Sequence, residues 1–139
     1  MKNNLILRFV AKFLIPVIVL FALYVQFHGD FGPGGGFQAG VIFSVAFILY
    51  TLVFGLATAE RVLPPRVLRI FASLGVLIYA GTGFATLFLG GTFLNYSVLA
   101  DNPTAGQHIG ILVIEAGVGI TVASVMLIIF FAFAGRERN

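Results

Sequence analysis

The sequence between two long apolar segments reads Phe27-His28-Gly29-Asp30-Phe31-Gly32-Pro33-Gly34-Gly35-Gly36-Phe37-Gln38-Ala39-Gly40. This stretch, called the glycine-rich loop below, interrupts apolar sequence with glycines, a proline and ionisable groups. Irregular backbone beside hydrocarbon costs several kcal/mol for each unsatisfied N–H or C=O group. We therefore expect the loop at the surface, along a cavity or buried against protein, and each of these places points to transport or assembly.

The composition indicates an integral membrane protein. Of 139 residues, 60% are hydrophobic and 9% are charged, and the mean hydropathy is +1.08. A soluble domain carries roughly 25% charged residues, because it needs a polar exterior. The chain has no cysteine, which excludes disulfides and thiolate chemistry. Its few positive charges do not favour a surface for nucleic acid.

Four apolar runs are long enough to cross a membrane as helices. They cover about 5–27, 37–59, 67–89 and 109–133, and a helix needs roughly 20 residues to cross hydrocarbon. Asn102 followed by Pro103 fits an N-cap with proline at the first helical position, so the fourth helix is predicted over 103–133. The sequence thus predicts an all-α membrane protein, with one four-helix transmembrane domain over 1–139.

The charges predict that both termini are cytoplasmic. If the amino terminus lies inside, all eight Lys and Arg residues fall on the cytoplasmic side, as the positive-inside rule requires. The glycine-rich loop then faces the outside, away from cytoplasmic nucleotides.

The loop does not fit a nucleotide site. Residues 34–39 match the pattern G-x-G-x-x-A, but a dinucleotide site requires a preceding strand. What remains is backbone that permits close approach of another chain, with docking and a simple flexible turn as alternatives. His28, Asp30 and Gln38 add a polar mouth, but one histidine and one acid fall short of a metal site, so no metal ligand is predicted.

Glu115 is the one ionisable residue well inside an apolar run. A carboxylate buried in a membrane costs several kcal/mol unless it is paired, hydrated or protonated, so Glu115 is a functional candidate. His108 precedes it by seven residues, which places both on one helix face about 10 Å apart. The alternatives are proton or ion handling and a structural hydrogen bond to a neighbouring helix.

The chain resembles the B subunit of the multi-subunit Mrp-type Na+/H+ antiporter family. The resemblance covers essentially the whole chain and rests on two motifs, which are His28-Gly29-Asp30 with 33–40, and Glu115-Ala116-Gly117-Val118-Gly119-Ile120-Thr121-Val122. It implies a non-catalytic subunit without a cofactor, in a complex that exchanges Na+ for H+ across a bacterial or archaeal plasma membrane. Its partners would be membrane lipid and the other subunits, including large ones similar to the antiporter-like subunits of respiratory complex I.

The resemblance also implies roles for particular residues. The loop residues of the family carry over to positions expected to dock another subunit, which are Pro33, Gly34, Gly35, Gly36, Phe37, Gln38 and Gly40. The candidates for an ion or proton path are Glu115, His108, His28 and Asp30. Three alternatives stay open, namely the same module in a membrane-bound hydrogenase or related redox complex, a small homo-oligomeric transporter or channel, and a purely structural scaffold.

Overall fold

The computed structural model describes residues 4–29 and 34–136, which form five α-helices and one 3₁₀ turn. The helices are α1 (Leu5–Phe27), α2 (Gly36–Phe54), α3 (Leu56–Val62), α4 (Pro65–Phe88) and α5 (Pro103–Arg136), and the 3₁₀ turn is Tyr96–Leu99. Two candidate residues, Asp30 and Pro33, lie outside the described residues.

Four of these helices are long and apolar enough to cross a membrane, namely α1, α2, α4 and α5. This confirms the predicted all-α architecture with four spans. The last span begins at Pro103, where Asn102 Oδ1 accepts a hydrogen bond of 3.0 Å from the Thr104 N–H group. The Asn-Pro pair therefore forms the cap that the sequence predicted, and α5 is the longest helix of the bundle. The sidedness of the termini stays a prediction.

The second span differs from the predicted helix over 37–59. α2 ends at Phe54, because Gly55 has φ 93 and ψ 152, a conformation that a residue with a Cβ rarely adopts. The short α3 then turns the chain toward α4. Apolar residues continue through the break, so hydropathy gave no sign of it. A buried apolar cluster joins α3, α4 and α5, and its members are Ala59, Leu68, Leu127 and Phe131.

α5 packs between α2 and α4, while α1 packs mainly on α2. A Cβ added to Gly40 of α2 would lie 2.6 Å from the Gly119 carbonyl oxygen of α5. A Cβ added to Gly117 of α5 would lie 2.9 Å from the Gly75 carbonyl oxygen of α4. Both distances are shorter than an ordinary contact, so glycines set how closely these helices approach.

The spans are staggered along the axis of the bundle. Gly36, the first residue of α2, lies against the backbone of Glu115. Twelve residues separate Pro103 from Glu115 (115 − 103), so α5 extends about 18 Å beyond the start of α2 at 1.5 Å per residue. The described ends of the glycine-rich loop therefore lie in a recess beside α5, and we call this space the loop recess.

The connection between α4 and α5 packs on the extended part of α5. The Tyr96 ring lies against Gly110, and the Tyr96 carbonyl oxygen lies against Gly106. On the other side, the Phe93 ring contacts Gly83 of α4. These contacts account for the apolar residues in a connection between helices, and they hold α4 and α5 together above the loop recess.

Candidate functional site

The structure brings the two sequence motifs together at the Glu115 carboxylate. A Cβ built on Gly29 would lie 3.0 Å from Glu115 Oε2 and 3.3 Å from Oε1. A Cβ built on Gly35 would lie 3.4 Å from Oε1. Gly29 follows α1 and Gly35 precedes α2, so both described ends of the glycine-rich loop lie against the same carboxylate. Glu115 itself is half-buried.

At each of the three consecutive glycines, a different feature of the structure disfavours a side chain. A Cβ on Gly34 would lie 3.1 Å from the Val25 carbonyl oxygen, at the end of α1. Gly35 has φ 146, a backbone conformation that residues with a side chain rarely adopt. A Cβ on Gly36 would collide with the Glu115 carbonyl oxygen and lie 2.7 Å from its carbonyl carbon. Replacing Gly36 would therefore separate α2 from α5.

The amino-terminal end of α2 lies beside the carboxylate. Its first intrahelical hydrogen bond runs from the Ala39 N–H group to the Gly35 carbonyl oxygen, at 3.0 Å. The N–H groups before Ala39 have no partner within the helix, and together they carry about half a positive charge. Such an end attracts a nearby carboxylate by typically 0.3–1 kcal/mol. The start of α2 therefore supplies positive potential at Glu115.

Gln26, in the last turn of α1, belongs to this site and was missed by the sequence reasoning. A Cβ built on Gly119, one turn after Glu115, would lie 2.9 Å from Gln26 Oε1. Gln26 Nε2 is buried, and it has no hydrogen-bond acceptor among the described residues. A buried donor without a partner costs about 1–3 kcal/mol. The sequence feature that could have indicated this role is that Gln26 is the one amide side chain in the last turn of α1 before the loop.

An apolar cavity of about 320 Å³ lies on the side of Gln26 away from the loop. It is bounded by α1, α2, α4 and α5, and Gln26 and Ser124 are the polar residues among those that line it. Cavities with apolar walls stay dry. The lining therefore offers few polar groups to an ion on this side of Gln26.

The two histidines of the predicted path lie in different surroundings. His28 is exposed and stacks on Tyr24, with ring centroids 4.8 Å apart. His108 is exposed on the part of α5 that extends past the loop recess. Both histidines therefore lie toward the loop end of the bundle, as Glu115 does, and their part in an ion path stays a prediction.

Four of the seven predicted docking residues fall into two groups. Gly36 and Gly40 are buried against α5 of the same chain, so contacts within this subunit account for their small size. Phe37 and Gln38 are exposed at the start of α2, and 63% of the Phe37 surface is accessible. Within 4–29 and 34–136, no group of three or more His, Cys, Asp or Glu side chains is placed to hold a metal ion.

Comparisons with known proteins agree with the resemblance seen in the two motifs. The family described as "Domain related to MnhB subunit of Na+/H+ antiporter" matches residues 6–128. Two proteins named "Putative antiporter subunit mnhB2", from Staphylococcus aureus strains Newman and JH1, are each 34% identical over 137 residues. Each match covers 96% of this chain and 96% of the relative. This chain belongs to the family of domains related to the MnhB subunit of Na+/H+ antiporters.

Proposed function

We propose that this protein is a multi-pass plasma-membrane subunit of a multi-subunit Na+/H+ antiporter, in which Glu115 takes up and releases protons or ions beneath the glycine-rich loop. The family and the names of the relatives support the antiporter subunit, and they favour it over a hydrogenase module or a self-sufficient transporter. One observation supports the role of Glu115. Both described ends of the loop lie against its carboxylate oxygens.

The surroundings of Glu115 support access from one end of the bundle. Gly29, Gly34 and Gly35 are partly exposed, so the described ends of the loop do not bury the carboxylate fully. On the side of Gln26 away from the loop lies the apolar cavity. Because apolar walls do not favour an ion, we assign one side of the route to this subunit and the rest to other subunits. This division fits a chain that works in a complex.

The test of this role replaces Glu115 with glutamine, which keeps the size and removes the titratable group. In vesicles that contain the complete complex, Glu115→Gln should lower Na+/H+ exchange at least about tenfold, as removal of a proton-transfer group does. The amount of assembled complex should stay normal. Asp101→Asn removes an exposed carboxylate outside the site and should have no effect. Normal exchange by an intact Glu115→Gln complex would leave Glu115 with a structural role alone.

We also propose that the exposed start of α2 docks another subunit of the complex. Gln38 presents a polar side chain on a membrane span, and such side chains hydrogen bond across helices. Phe37, next to it, supplies apolar area that lipid or another helix must cover. Because Gly36 and Gly40 pack inside this chain, they shape the docking surface without forming it.

The docking proposal is tested by co-purification of the other subunits. The double variant Phe37→Ala with Gln38→Leu should recover several-fold less of the other subunits, while this chain still inserts in the membrane. Phe133→Ala is the matched control, because Phe133 is 65% exposed near the other end of the bundle. Equal recovery with both variants would show that the start of α2 is not a docking surface.

A further inference from the structure

We infer that Gln26 is a positioning residue for Glu115, whose buried amide donates a hydrogen bond to the carboxylate when the Glu115 side chain turns from the glycine-rich loop toward Gly119. The inference rests on the proposed role of Glu115 in exchange. It gives the carboxylate two positions, one beneath the loop and one deeper in the bundle.

The first observation is that the side-chain N–H donor of Gln26 has no hydrogen-bond acceptor among the described residues. Gln26 Nε2 is buried without an acceptor among the described residues, although donors in such surroundings are nearly always hydrogen-bonded. The adjoining cavity offers no remedy, since Ser124 is the one other polar residue in its lining. The acceptor that we assign to this donor is the Glu115 carboxylate, which lies one helical turn from Gly119.

The second observation is the place of the amide relative to Glu115. Gln26 Oε1 lies 2.9 Å from the Cβ position of Gly119, so the amide sits directly over that residue. Gly119 follows Glu115 by one turn on the same helix face, and Cβ positions four residues apart are about 5–6 Å from each other. A glutamate side chain extends far enough from its own Cβ to approach the amide at this separation.

The third observation is the space between them. Gly119 carries no side chain, and a Cβ there would lie 2.9 Å from the Gln26 oxygen and 3.1 Å from the Gly36 carbonyl oxygen. Alanine at 119 would press on both groups and fill the path that the carboxylate takes. The absence of a side chain at Gly119 thus leaves room beside the Gln26 amide, and the Gly36 backbone borders the same space.

The two positions give the carboxylate a route into the bundle. Beneath the loop, Glu115 faces Gly29 and Gly35 at the recess. In the deeper position, a hydrogen bond from the Gln26 amide replaces the contacts with Gly29 and Gly35 that the carboxylate leaves. A proton or ion taken up at the recess would then be carried one helical turn deeper into the bundle.

The test uses Gln26→Met in the complete complex, because methionine keeps the length of the side chain and removes both hydrogen-bonding groups. The exchange rate per assembled complex should fall about tenfold, with a normal amount of complex. Gln107→Met is the matched control, since Gln107 is exposed near the start of α5. Adding Gln26→Met to Glu115→Gln should cause little further loss, because without the titratable group at 115 the Gln26 amide has no proton-exchanging side chain left to position.

Infrared difference spectroscopy provides a second readout that does not depend on the exchange rate. The carboxyl band that disappears in Glu115→Gln belongs to Glu115, and it should shift in Gln26→Met. An unshifted band, a wild-type rate per complex, or reduced assembly with a normal rate would each overturn the positioning role. A normal rate in Glu115→Gln would instead remove the proposed role of Glu115 in exchange, whereas a normal rate in Gln26→Met alone would remove only this inference.

Discussion

Replacing Gly36 with alanine tests the contact between the loop and α5. A Cβ at this position would lie 2.7 Å from the carbonyl carbon and 2.9 Å from the Cα of Glu115. Carbon atoms pack at about 3.5–4.0 Å, so α2 would have to move about 1 Å away from α5. The obstacle is backbone, which cannot turn aside. Such overpacking costs about 1–3 kcal/mol, even though alanine is otherwise the better helix former.

The matched control is Gly81→Ala in α4. A Cβ at Gly81 meets nothing within 4 Å, and alanine in a helix is more favourable than glycine by up to about 1 kcal/mol. The two substitutions should therefore shift stability in opposite directions. Thermal unfolding of the full chain, followed by size-exclusion chromatography of the fraction that remains folded, measures both. A Gly36→Ala protein as stable as Gly81→Ala would refute the close packing of α2 on Glu115.

Three further predictions follow from single positions. Gly29→Ala should slow exchange with little loss of stability, because its Cβ would press on the end of the Glu115 side chain at 3.0 Å; normal exchange would contradict the contact. Gly55→Ala should lower the midpoint of thermal unfolding, since a side chain at φ 93 costs about 1–3 kcal/mol; an unchanged midpoint would argue against the break. Burial and, less strongly, the nearby Tyr79 raise the pKa of Tyr96 above 10.0. The stabilisation that comes from protonated Tyr96 is present below pH 10.0 and is lost as the pH rises through the higher folded-state pKa. An ultraviolet titration that finds ionisation of Tyr96 at or below pH 10.0 would contradict this.

The spans were predictable because their cause is local. Long apolar runs require burial in lipid wherever they occur, and the pair of Asn102 and Pro103 sets the start of α5 through its own capping bond. The break at Gly55 was not predictable, because glycines also occur inside unbroken helices, as Gly81 does in α4. Whether a glycine bends the chain depends on the packing of α3 against α4 and α5.

The meeting of the loop with Glu115 depends on the register between helices that are far apart in sequence. Gly36 and Gly40 are spaced by four residues, as are Glu115 and Gly119, and the structure pairs them backbone to backbone. Hydropathy does not distinguish this pairing from one shifted by a turn. From the sequence, the glycine-rich loop and Glu115 were therefore predicted as two separate features. The structure shows the described ends of the loop in contact with Glu115. Gln26 became visible only once that register was known.

The most direct test of the account measures whether position 29 lies against position 115 in the assembled complex. The chain has no cysteine, so Gly29→Cys with Glu115→Cys introduces a unique pair of thiols. Dibromobimane becomes fluorescent when it bridges two thiols, and mass spectrometry identifies the joined peptides. The account predicts efficient bridging between 29 and 115, and little in the control pair Gly81→Cys with Glu115→Cys. Bridging of 29 and 115 no greater than in that control would contradict a carboxylate held beneath the glycine-rich loop.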